Sequence, residues 1–143
     1  MKVCERSDWN FLVCMALLST VLGCDQKGLV VYPAGGKVTY QNGQPVVGVW
    51  VMFRSRDGEK PITSRGATAT DGTFKLTTLE SNDGAIAGKH QVLLVVPAIE
   101  DEGSVLKGDR AIPSRYSTYE SSRLEFTVTD DLAQNQFEIV VTP

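Results

Sequence analysis

Four Asx-Gly dipeptides, Asn42-Gly43, Asp57-Gly58, Asp71-Gly72 and Asp83-Gly84, follow one another at intervals of 12 to 15 residues. Each is a strong turn signal. Glycine takes positive φ without a Cβ clash, and the Asx side chain folds back onto nearby backbone N–H groups. The intervals between such breaks suit a short strand and its return. No stretch beyond the N-terminal region sustains a helical period, so the pattern predicts short strands joined by tight turns.

The segments between the breaks carry that reading. Residues 36–40 (GKVTY) run into Asn42-Gly43, which predicts a type I′ hairpin. Residues 46–54 (VVGVWVMFR) are the most strand-like, with Val47, Val49, Val51 and Phe53 on the core face and Val46, Trp50 and Met52 on the other. Residues 64–70 alternate weakly. In residues 73–77, Phe74 and Leu76 share one face. Asp83-Gly84 and Gly88 bound a short loop, and residues 89–96 (KHQVLLVV) form a buried strand. Leu124, Phe126 and Val128 point inward from residues 124–129, as do Phe137, Ile139 and Val141 from the last strand. The sum is an all-β, seven-stranded sandwich. From 97 to 123 the chain shows neither period, and a loop of 27 residues is long enough to carry function.

The N-terminus follows other rules. Residues 11–22 (FLVCMALLSTVL) are uncharged and almost wholly apolar. As a helix they would extend about 18 Å against a hydrocarbon core of about 30 Å, which fits a signal peptide better than a span. Lys2 and Arg6 put positive charge before the run, diluted by Glu5 and Asp8. The run ends in Val21-Leu22-Gly23-Cys24, which resembles the lipobox of bacterial lipoproteins. That resemblance implies a diacylglycerol on the Cys24 thiol, cleavage before Cys24 and acylation of the new amine. The other cysteines, Cys4 and Cys14, lie in the part that would be removed, so the mature domain would hold no further thiol. The expected organisation is a lipoprotein signal peptide over 1–23, a tether over 24–33 and one β-sandwich domain over 34–143. Location at the cell or outer membrane follows, through the lipid anchor. In some bacteria an aspartate after the lipidated cysteine, as Asp25 is here, favours inner-membrane retention.

Beyond the tether, the order and spacing of several stretches resemble the carboxypeptidase regulatory-like (transthyretin-like) domain. These stretches are Gly36-Lys37-Val38-Thr39-Tyr40, Gly43-Gln44-Pro45-Val46-Val47-Gly48-Val49, Thr70-Asp71-Gly72-Thr73-Phe74-Lys75-Leu76, Asp83-Gly84-Ala85 with Gly88-Lys89-His90, and Ile112-Pro113-Ser114-Arg115-Tyr116. The resemblance covers residues 32–141. It implies a transthyretin-like or immunoglobulin-like sandwich, an exported and anchored location, and no particular chemistry. It also implies that Tyr116 plugs the long loop into the core. A ureide hydrolase built on the same fold uses several histidines and a tyrosine-rich C-terminus, whereas this chain has one histidine and ends Val140-Val141-Thr142-Pro143.

Composition narrows the chemistry. Lys plus Arg is 14 and Asp plus Glu is 17, a net charge of −3 without a basic cluster, which argues against nucleic acid as a partner. The single imidazole, His90, is expected as a half-buried residue on a strand edge, and no nucleophile motif accompanies it. Asp57, Asp71, Asp83, Asp130 and Asp131 are expected to cap their own turns, and Glu100-Asp101-Glu102 to form a solvated bend. No catalytic residue, metal site or cofactor is therefore expected. Trp50 and Met52 on the outer face of their strand, with Arg110, Arg115 and Tyr119 of the long loop, are the candidate ligand- or partner-binding residues. The alternative for the Trp50 face is that the loop folds over it. The function read from the sequence is a non-catalytic interaction or structural module of the cell envelope, partnered by the membrane through lipid and by an envelope protein or glycan. A carbohydrate- or peptide-binding domain using the Trp50 face and the 97–123 loop is the alternative.

Overall fold

The computed structural model describes residues 28–97 and 111–143. The expectations for the leader, Cys24, Glu100-Asp101-Glu102 and Arg110 lie outside those residues. Nine strands follow in chain order: β1 (Val31–Tyr32), β2 (Gly35–Tyr40), β3 (Trp50–Ser55), β4 (Thr63–Ala67), β5 (Thr73–Lys75), β6 (Ala85–Ile86), β7 (Gly88–Val95), β8 (Leu124–Val128) and β9 (Gln136–Val141). Seven of them have three residues or more, and β1 and β6 form a two-residue pair of their own. The other sheets are four-stranded, in the order β4-β3-β7-β8, and three-stranded, in the order β5-β2-β9. The protein is an all-β sandwich.

The inward faces of the two larger sheets make the core. Val51 and Phe53 of β3, Val92 and Leu94 of β7, Val38 of β2 and Ile139 of β9 are all at most 1% exposed. Phe53 stands at the centre of an aromatic cluster, with ring centroids 5.4 Å from Phe137, 5.9 Å from Phe126 and 6.3 Å from Phe74. A buried aromatic contributes about 1.5–3 kcal/mol from area alone, and well-placed ring pairs add to it.

The two sides of the sandwich close differently. On one side Arg65 of β4 exchanges two backbone hydrogen bonds with Thr77, at 3.0 and 2.8 Å, and this bridge seals the seam between the sheets. On the other side β8 and β9 are the outer strands of their sheets, and Phe126 and Phe137 meet there with centroids 5.0 Å apart. Asn135, fully buried, stitches the same end. Its Nδ2 donates to the carbonyls of Thr129 and Pro33, and its Oδ1 accepts from the Thr129 N–H.

Two local expectations change. Gly43 takes φ +81°, but Asn42 stays at negative φ, so the turn is not type I′. The chain pairs briefly with β2 through the bridge of Thr39 with Pro45, then crosses to the other sheet. The strand expected over 46–54 begins only at Trp50. Gly48 at φ +71° breaks the alternation, and the Thr68 hydroxyl accepts from the Val49 N–H to hold the break. Val46 is therefore fully buried and Val47 exposed, the reverse of the parity that the uninterrupted strand requires.

The described end of the long connection forms two short elements. A 3-10 turn spans Ser114–Ser117 and a short helix α1 spans Tyr119–Ser122, both packed on β7. The Thr118 side chain caps α1 by accepting from the Ser121 N–H, and Ser122 donates its hydroxyl to the Val92 carbonyl.

Candidate functional site

Of the aspartates expected to cap their own turns, Asp71, Asp83 and Asp131 do so, and the Asp130 carboxyl makes no hydrogen bond among the described residues. Asp71 accepts from the Thr73 N–H and hydroxyl, and these bonds, the hydroxyl first, hold its carboxyl below the usual range. Burial would raise Asp83, but the N–H groups of Glu80, Thr78 and Leu79 outweigh it and lower its pKa. Asp131 caps the turn Leu132–Gln134. Asp57 departs from the expectation: its Oδ2 accepts from the N–H of Lys89, across 32 residues.

His90 departs further. β7 lies between β3 and β8, so His90 is interior to its sheet, and it is fully buried. Its Nδ1 lies 3.0 Å from the Gly88 carbonyl, which only accepts, so Nδ1 carries the proton. Nε2 is then a bare lone pair with no hydrogen-bond partner among the described residues, and the ring packs 6.0 Å from Phe53. Burial lowers its pKa, against the opposing pull of the Gly88 bond and the Asp57 charge. No group of three or more His, Cys, Asp or Glu side chains suited to a metal ion occurs among the described residues.

Of the residues expected at a binding face, the structure brings three together. Trp50 and Met52 lie along the outer face of β3, with Trp50 38% exposed and Met52 half-buried. Tyr119 covers the next position, its ring 3.9 Å from the guanidinium carbon of Arg54. Burial raises the Tyr119 pKa, opposed by its hydrogen bond with Thr63 and by the Arg54 charge. Tyr119 is thus held in the fold rather than offered to a ligand. Arg115 is elsewhere and fully engaged. It donates to the carbonyls of Thr142 at 2.6 Å and Pro143 at 2.5 Å and to the Tyr116 hydroxyl at 3.2 Å. Tyr116 is 4% exposed, so the loop is plugged into the core at this point.

The Trp50 face continues in a direction that reading strand by strand does not reveal. The guanidinium of Arg65 lies over the Trp50 ring, 5.5 Å from its centroid. The pair borders a groove of about 510 Å3 that runs over the β4 seam to Thr73, Lys75 and Asn82. A second hollow of about 410 Å3 shares Thr73, Lys75 and Asn82 and reaches Gln136 over Gly35. The two hollows adjoin at these shared residues, and the pair makes up the trough that crosses the seam between the sheets. Met52 stays out of its lining. A larger hollow of about 680 Å3 lies between the end of β2 and Pro143, but no charged side chain lines it.

Arg65, Lys75 and Asn82 were not singled out from the sequence. The alternation of buried Ser64, Gly66 and Thr68 does mark Arg65 as outward, and the same parity marks Lys75. Their meeting depends on the seam, which is a long-range pairing. Comparison with family models, with curated proteins and with solved structures returns no match.

Proposed function

We propose that this chain is an exported bacterial lipoprotein, cut before Cys24 and anchored by lipid on that residue. Its β-sandwich, of the transthyretin-like kind, acts without catalysis as an interaction or structural module of the cell envelope. The observation that carries this reading is the sequence Val21-Leu22-Gly23-Cys24 at the end of an uncharged apolar run. Several buried acyl chains make a stable anchor, since each buried CH2 contributes about 0.8 kcal/mol. The first strand begins at Val31, seven residues after Cys24, so a tether of roughly 25 Å at full extension would keep the sandwich at the membrane surface.

The non-catalytic reading draws support from how the reactive side chains are used. His90 is sealed inside the aromatic cluster, and Asp57, Asp71, Asp83 and Asp131 hold backbone N–H groups. A second reading, a ligand-binding domain, is favoured by the exposed Trp50–Arg65 pair beside its groove.

Intact mass and membrane partitioning, measured in the native host beside a Cys24→Ala form, test the anchor. The expected outcome is a mature mass starting at Cys24 plus acyl chains, with the variant unprocessed. A cleaved but unlipidated protein in the soluble fraction overturns the anchored reading and makes this a freely secreted sandwich.

A further inference from the structure

We propose that the trough running from Trp50 past Lys75 to Gln136 binds an acidic polysaccharide, with the sugar carboxylates held by Arg65 and Lys75. The proposal rests on the reading of this domain as a binding module and names the ligand class.

Charge is the first argument. The chain is net acidic, yet Arg65 and Lys75 are both exposed in one groove, and neither forms an ion pair among the described residues. The ion pairs found there, Arg54 with Glu120 and Arg56 with Glu125, lie elsewhere. Arg65 is also ordered by its place over the indole, which leaves its planar N–H fork available to a carboxylate.

Shape is the second. The floor is backbone and small residues: Gly35, Gly66, Ala67 and Ala69. A Cβ on Gly66 would sit 2.2 Å from the Lys75 carbonyl oxygen, so close packing at the seam keeps the floor low. Asn82 and Gln136 add neutral hydrogen-bonding groups between and beyond the cations, while the Thr73 hydroxyl, donating to Asp71, is left as an acceptor. A hydroxyl-rich chain with spaced carboxylates matches this alternation of cation and neutral donor.

The seam also decides against an extended peptide. A peptide binds a sheet edge by adding a strand to free backbone groups. At Arg65 those groups are already taken by Thr77. Recognition in the trough must therefore go through side chains, which suits a saccharide.

The test is titration calorimetry of the full-length protein in detergent micelles with polygalacturonate, dextran and polyglutamate. Saturable binding of polygalacturonate is expected, weakened by added salt, with little heat from dextran or polyglutamate. Arg65→Gln should raise Kd about tenfold or more, as loss of a charge-assisted contact requires, and Lys75→Gln should weaken binding as well. Arg56→Gln, an exposed cation outside the trough, should leave Kd unchanged. Equal binding of dextran, tighter binding of polyglutamate, or indifference to Arg65→Gln overturns the proposal. Sedimentation with detergent-washed envelope fragments separates the two levels. Trp50-dependent sedimentation without polygalacturonate binding rejects the ligand class alone. Absence of both rejects the ligand class and the binding module together.

Discussion

His90 shows what one side chain does when its second nitrogen is left bare. In the folded chain the neutral ring is satisfied at Nδ1 by the Gly88 carbonyl. A proton on Nε2 would be a buried charge facing Phe53 and its register partner Phe126, and the Gly88 hydrogen bond and the Asp57 carboxylate do not outweigh that burial. The folded pKa therefore lies below the unfolded value of 6.5. Between the two values the unfolded chain binds more protons, so stability rises with pH. The contribution of His90 is complete above 6.5 and is lost as pH falls below it, by at most about 1.4 kcal/mol per pH unit. Urea midpoints taken across that window should fall on acidification. Above about pH 5, where Asp71 and Asp83 stay ionised in both states, the slope should vanish in His90→Gln whatever that variant's absolute stability. The sequence placed His90 on a strand with Val92 and Leu94 but could not say that β8 would cover its edge, because that pairing joins residues 36 apart, His90 and Phe126.

At the scale of elements, period-two alternation located the strands, because an inward side chain and an outward one differ in the water they lose. Residues 73–77, 124–129 and the last strand are inward and outward as that pattern requires. It failed at Gly48, where one positive φ resets the parity that neighbouring side chains still spell out. It was silent over 97–123; at the described residues 115 and 116 the ordering device is not periodicity but the clasp of Arg115 and Tyr116 on Thr142. That clasp joins a loop to the end of β9, so it should matter to stability. Arg115→Met should lower the urea midpoint by the equivalent of about 1–2 kcal/mol with an unchanged m-value, since its hydrogen bonds to carbonyls and hydroxyls and its stacking over the Tyr116 ring are lost. An unchanged midpoint would show that the clasp adds nothing.

Over the whole molecule, the asymmetry of the two sides governs both packing and the trough. Where Arg65 meets Thr77, the backbones approach so closely that only glycine fits at position 66. Gly66→Ala should therefore cost more than about 3 kcal/mol, because its Cβ meets carbonyl backbone rather than a yielding side chain. Thermal unfolding would show it as a fall in Tm, and a small shift would mean the seam can open without harm. The same seam explains why the candidate site was half legible. Trp50 could be read as an outward residue of its strand, but Arg65, Lys75 and Asn82 reach it only through tertiary pairing. The opposite flank holds β2 and β9 side by side and parallel, in register from Gly35 with Gln136 to Tyr40 with Val141. Tension between an anchored N-terminus and a load on the C-terminal end would drag these strands past one another along their length. Their hydrogen bonds would then be strained together rather than peeled one at a time. Were the chain anchored as proposed, the pairing of β2 with β9 would resist pulling along that line.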